Sequence, residues 1–182
     1  MFKNLERIEK DDFESFFCLL DKSFPNIERR SREGQKEIFD DDLYKVYGVK
    51  DHSGNVVGFI ATWEFEKFNF IEHFAVDRIL RGKGMGTHLL KEYINNSNKP
   101  IYLEVEFPND DICIRRIEFY KRLGFKLNEF DYIQLPLQIG NELLPLKIMT
   151  YPSKVSNDEF IYFRKNVYDK VYKQSQSSDF EL

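Results

Sequence analysis

Phe68-Asn-Phe-Ile-Glu-His-Phe-Ala-Val-Asp-Arg-Ile-Leu-Arg-Gly-Lys-Gly-Met-Gly-Thr-His-Leu-Leu-Lys-Glu-Tyr-Ile94 decides the fold. The apolar-rich run from Phe68 to Val76 reads as a strand, and the apolar residues at 85, 89, 90, 93 and 94 repeat with the period of an amphipathic helix. Between them lie Gly82, Gly84 and Gly86 with Arg81 and Lys83. The first N–H groups of a helix lack partners within it and carry the positive end of its dipole, so they bind anions. Glycines let the main chain approach such an anion closely, and the two cations add charge at the same place. The stretch reads as a seat for a pyrophosphate.

Glycine spacing narrows the choice of ligand. A Walker loop requires Gly-Lys-Ser/Thr after four spacers, which is absent, and a dinucleotide fingerprint requires a glycine where Thr87 stands. Outward from the stretch, Leu43 to Val49 and Val56 to Phe65 are strand-like runs around the polar turn Asp51-His-Ser-Gly-Asn55, and Pro100 to Phe107 is a further strand. That last strand returns beside Phe68 to Val76 as a right-handed crossover through the helix, giving a mixed sheet. A helix over 110–123 is capped by Asp110 or Asn109 and stopped by Gly124.

The pattern Arg81-x-x-Gly84-x-Gly86, after a strand ending in Ala-Val and before an amphipathic helix, resembles the acetyl-CoA-binding motif of the GNAT superfamily of N-acetyltransferases. Arg116-Ile-Glu-Phe-Tyr-Lys-Arg-Leu-Gly-Phe125 is similar to the second family signature, a helix carrying Phe-Tyr that ends at Leu-Gly-Phe and turns into a strand. The resemblance extends over about Tyr44 to Phe130. It implies an α/β (α+β) fold: a mixed, mostly antiparallel twisted sheet flanked by helices, with a central βαβ crossover and two strands that splay apart to admit the pantetheine arm. It further implies that Phe74, Ala75 and Val76 offer main-chain groups to the pantetheine and the thioester, while Arg81, Gly82, Lys83, Gly84, Met85, Gly86 and Thr87 hold the pyrophosphate. An N–H aimed at the thioester oxygen would stabilise the developing oxyanion by about 3–4 kcal/mol.

Acetyl transfer to an amine needs a base for the amine and an acid for the departing thiolate. Tyr120 stands where the resemblance implies a tyrosine near the sulfur, and it also continues an apolar stripe with Cys113 and Ile117. For the base, Glu72 and Glu104 are carboxylates within otherwise apolar strands, a costly placement unless each is paired or near water. Strict alternation puts Glu72 on one face with Phe74 and Val76, and Glu104 on one face with Tyr102 and Glu106. Glu72 is slightly preferred, and His73, Arg78 or a rim lysine are its expected partners in a purely structural role. Cys113 and Arg116 replace the Asn and Ala that many relatives carry at these positions of the second motif.

The remaining chain reads as supporting structure. Residues 2–9 suit a first strand, and Asp11-x-x-Glu14 suits a capping box for a helix that buries Phe13, Phe16, Phe17 and Leu20 and ends at Pro25. Asn26 to Asp42 is polar and weakly helical, and its single charges read as solvated surface, while the resemblance implies that the first two helices and their connection form one wall of the acceptor site. Residues 130–139 and Leu143 to Tyr151 form a terminal hairpin. Ser156-x-x-Glu159 caps a last helix with Phe160, Phe163, Val167 and Val171 on one stripe, which packs on its own domain or in a homodimer. Residues 1–173 are expected to form one acetyltransferase domain, with 154–173 as its helical extension and 174–182 as a disordered tail.

The chain has 182 residues, a formal net charge of −4 and interspersed charges, so no nucleic-acid stripe stands out. Cys18 and Cys113 form no disulfide framework, and His52, His73 and His88 have no zinc spacing, so no metal is expected. With no signal peptide or membrane-length apolar run, a cytoplasmic enzyme without a membrane partner is expected. The expected reaction is transfer of an acetyl group from acetyl-CoA to the primary amine of a small molecule in a ternary complex. The alternative is a noncatalytic CoA-binding sensor or interaction module.

Overall fold

A computed structural model of the chain describes residues 4–138 and 140–172, so the expected tail lies outside the described residues. Two compact units are present, one ending at Glu104 and one beginning at Val105. The architecture is α/β with a mostly antiparallel strand arrangement.

In the first unit, β1 (Glu6–Arg7), β2 (Tyr44–Lys50), β3 (Val56–Glu64) and β4 (Asn69–Val76) pair antiparallel in chain order. The Asp51 turn joins β2 to β3, as its composition indicates: the Asp51 carboxylate accepts from the N–H groups of Ser53 and Asn55. Helix α3 (Met85–Asn96) then leads to β5 (Ile101–Val105), which runs parallel to β4. This is the expected βαβ unit.

Side-chain alternation along β3 sorts the two layers. A Cβ on Gly58 would meet Leu89 of α3, and Thr62 is hydrogen-bonded to Tyr93 of α3, so even-numbered residues face that helix. Odd-numbered Phe59 packs edge-on against Phe16 of α1 (Phe13–Ser23), and Trp63 lies against Tyr44, so odd-numbered residues face the other layer. Phe16, Phe59, Tyr44 and Trp63 are almost fully buried, each burial contributing roughly 1.5–3 kcal/mol.

Helix α1 differs from expectation at its start. The capping box joins Glu9 and Asp12 and opens a 3-10 turn over Lys10–Asp12; Asp11 and Glu14 take no part. Its buried stripe is Phe13, Phe16, Leu19 and Leu20, while Phe17 is half-buried under the Arg29 guanidinium. Of the polar segment that follows, Arg32–Ile38 forms a short helix, α2, capped by Ser31.

In the second unit, the Asp110 carboxylate caps α4 (Asp111–Arg122) by accepting from the N–H groups of Ile112 and Cys113. Gly124, at φ 97°, turns the chain into β6 (Lys126–Leu127). Both β6 and β7 (Tyr132–Gln134) pair antiparallel with β8 (Leu144–Tyr151). The capping box of Ser156 and Glu159 opens α5 (Asn157–Lys170), whose Phe160 stacks on Phe130 at 4.1 Å. Phe160, Phe163, Val167 and Val171 are buried within their own chain.

Candidate active site

The loop from β4 to α3 is shaped by its own side chains. Asp77 accepts from the Ile79 N–H and starts a 3-10 turn over Arg78–Leu80, and the Arg81 Nε donates to the Val76 carbonyl at 3.0 Å. That bond ties the arginine back to the end of β4. Gly82 and Gly84 follow with φ of 74° and 84°, a region that L side chains avoid. Gly84 is the N-cap of α3, and the first bond within the helix runs from the His88 N–H to the Gly84 carbonyl at 3.0 Å. The N–H groups of Met85, Gly86 and Thr87 therefore have no acceptor within the helix.

Exposure matches this geometry. Residues 81–84 are exposed and Gly86 and Thr87 half-buried, while Met85, Leu89, Leu90 and Tyr93 anchor the helix in the core. A Cβ at Gly82 would meet no atom within 4 Å, so open space stands over the loop. Three convergent N–H groups, a dipole end and the Arg81 and Lys83 side chains suit an anion of diphosphate size. On the α1 side, the loop residues Asp77, Ile79 and Leu80 also border a groove of about 430 Å³ with Ser15, Cys18 and Lys22.

The second feature is an opening between parallel strands. The β4–β5 ladder runs through Asn69–Ile101, Phe70–Tyr102 and Ile71–Leu103 and then stops, whereas β4 stays paired with β3 as far as Val76. Beyond Ile71 the two strands part. At that point the β3–β4 register shifts: Thr62 opposes Ile71 and Ala61 opposes His73, leaving Glu72 as the extra residue of a bulge.

The bulge decides where Glu72 points. Its side chain is 1 % exposed although the residue as a whole is half-buried, so its accessible atoms are mainly main-chain. One carboxylate oxygen takes the Arg30 Nη1 at 2.6 Å and the other takes the Trp63 indole N–H at 3.2 Å. Strict alternation missed this arrangement, and the expected structural partners were incomplete. His73 Nδ1 is 3.7 Å from Glu72, but the strong partners are Arg30 and Trp63. Neither was singled out in the sequence, and the one available signal was that a carboxylate within an apolar strand demands a cation. Glu104, the residue after the last β4–β5 pair, is half-buried.

Tyr120 lies on α4 in the second unit, 8 % exposed, with its ring edge-on to Phe125 at 5.6 Å. Burial pushes its phenol up to about 12, opposed by the nearby Arg116 charge. Arg116, which replaces the small residue of the motif, is ion-paired with Glu106. Cys113 is buried on the same helix. Among the described residues no group of three or more His, Cys, Asp or Glu side chains could hold a metal ion, and no helix is long and apolar enough to cross a membrane.

A mixed sheet with a βαβ crossover, parted parallel strands and a glycine-rich helix start whose first N–H groups lack partners within the helix defines an acetyltransferase-type fold. The family model described as "Acetyltransferase (GNAT) family" matches residues 4–125, and the chain belongs to that family. A Bacillus subtilis (strain 168) protein named as an acetyltransferase, YjbC, is 28% identical over 158 residues, covering 84% of this chain and 79% of its own. A Bacillus subtilis subsp. natto protein named as a spermine N(1)-acetyltransferase is 31% identical over 103 residues, 49% of this chain and 64% of its own. The structure of a GNAT-family acetyltransferase from Bacteroides thetaiotaomicron superposes with a TM-score of 0.86 at 31% identity, covering 95% of this chain and 100% of that one.

Proposed function

We propose that the protein is an N-acetyltransferase that takes the acetyl group from acetyl-CoA and passes it directly to the primary amine of a small molecule. The observation that carries this reading is the pairing of the open α3 N-terminus with the end of the β4–β5 ladder. The Met85, Gly86 and Thr87 N–H groups, with Arg81 and Lys83, hold the diphosphate. Main-chain groups of Phe74 to Val76, beyond the last β4–β5 pair, line the thioester arm and supply a donor to its carbonyl oxygen.

The amine nitrogen attacks the thioester carbonyl, the C–S bond breaks and the thiolate leaves. Tyr120 supplies the proton to the sulfur, and its raised pKa keeps the phenol protonated until then. Glu104, the residue after the last β4–β5 pair, takes the amine proton through a water, and Glu72 holds Arg30 and the Trp63 indole N–H. The products are an N-acetylamine and free CoA, and solvent restores the proton on Tyr120.

A small cationic acceptor agrees with the net charge of −4 and with the relative named for spermine. The test is turnover by thiol release with acetyl-CoA and a panel of polyamines, aminoglycosides and amino acids. Saturable acetylation of a panel amine that drops in Tyr120→Phe and Glu104→Gln supports the reading. CoA binding without turnover of any amine would instead describe a CoA-binding module.

A further inference from the structure

The segment joining α1 to α2 is bolted to the bulge of β4 by three contacts on two adjacent residues. Arg30 forms the ion pair with Glu72, both side chains being buried (7 % and 1 % exposed), and its guanidinium lies over the Trp63 ring at 5.7 Å. The His73 Nε2 meets the Glu28 carbonyl at 2.8 Å, and Phe24 packs edge-on against the His73 ring at 4.6 Å. Donation to that carbonyl puts the ring proton on Nε2.

Such a clamp is more than a surface ion pair. Exposed pairs contribute little, but a buried carboxylate that loses its bound guanidinium is left uncompensated, so Arg30 and Glu72 hold each other in place. The bulge makes the clamp possible: an extra residue on one strand lets consecutive side chains, Glu72 and His73, both reach the α1–α2 segment. The same bulge sits where the β4–β5 ladder ends and where the main chain of Glu72 is accessible. The family resemblance implies that the first two helices and their connection form one wall of the acceptor site, and residues 24–30 are the part of that connection tied to the bulge.

We infer that Arg30, Glu72 and His73 are positioning residues that fix the α1–α2 segment as the acceptor-side wall, with Glu72 serving as the anchor of that wall. This rests on the acetyltransferase reading above. Amine recognition then depends on Arg30 although the residue is sealed from solvent. CoA binding, governed by the other end of β4, does not.

The test compares wild type with Arg30→Lys, Arg30→Met, Glu72→Gln and the double exchange Arg30→Met/Glu72→Gln, which removes both charges together in case a single one fails to fold. Hydrogen exchange on the ligand-free protein should speed up at residues 26–31 in Arg30→Met and Glu72→Gln, with Arg30→Lys nearer to wild type. With the best amine of the panel, Arg30→Met and Glu72→Gln should each raise the amine KM about tenfold, Arg30→Lys less, while the acetyl-CoA KM stays within twofold. The double exchange should be no worse than the poorer single, because linked partners are not additive. The acidic limb of the rate profile should persist in Glu72→Gln. The inference is overturned if Glu72→Gln abolishes kcat and that limb at unchanged amine KM, or if exchange at 26–31 is unaltered. Absence of turnover in the wild type would refute the acetyltransferase reading alone, since the exchange measurement needs no substrate and still decides the clamp.

Discussion

Replacing Gly82 by alanine separates the folding role of the glycine loop from its binding role. Gly82 has φ 74°, and an added Cβ would meet no atom within 4 Å, so the free protein offers no steric objection. The whole effect is conformational: an L residue in the left-handed region costs about 1–2 kcal/mol. In the free protein the exposed loop can relax to negative φ, which turns its peptide units away from the seat. Binding must restore the original shape, so the strain falls on the complex. Worked through, Kd for CoA rises by roughly 5–30-fold, at 1.4 kcal/mol per factor of ten. Gly54 is the control, because it has φ 85°, also with no atom within 4 Å of an added Cβ, in the β2–β3 turn. Gly54→Ala should lower thermal stability by a comparable strain and leave CoA affinity alone. Calorimetric titration and thermal unfolding of both variants are the assays. Wild-type affinity in Gly82→Ala, or equal weakening in Gly54→Ala, would refute the reasoning.

Three further outcomes rest on the same geometry. Tyr120→Phe should reduce kcat by about 10²-fold or more, within the range for a lost general acid, while CoA affinity stays within twofold. Tyr47 and Tyr120 both have folded-state values raised to about 12, chiefly by burial. The unfolded chain therefore loses these protons first: their contribution to stability is intact below pH 10 and declines as pH rises from 10 to 12, which denaturant midpoints across that range will show. A Cβ on Gly48 would stand 2.7 Å from the Gly58 carbonyl oxygen of the paired strand. Gly48→Ala must push β2 and β3 apart, at roughly 1–3 kcal/mol, or a melting temperature lower by about 2–4 °C per kcal/mol in a chain of this size.

Local signals made much of the fold legible. The Asp51 turn, the Asp110 cap, the Ser156 capping box and the glycine that ends α4 each satisfy main-chain groups within a few residues, so their chemistry shows in the sequence. The exposed α3 start was legible for the same reason, because it depends only on neighbouring glycines. The surroundings of Glu72 were not. A bulge alters alternation by one residue without any mark in composition, and Arg30 reaches Glu72 across 42 positions of chain. Read singly, Arg30 is one charge in a polar run, and Gln35 gives no sign that it is fully buried against the Tyr44 hydroxyl. The capping box of α1 was misplaced because Glu9 and Asp12 compete with Asp11 and Glu14 within the same acidic cluster.

The most direct test of the central claim is amide NMR of the protein titrated with CoA. The Met85, Gly86 and Thr87 amides should shift downfield together, saturably and at one equivalent, as their N–H groups take up the diphosphate. If CoA at saturating concentration leaves those three resonances in place, the diphosphate is bound elsewhere or not at all, and the proposed site is wrong.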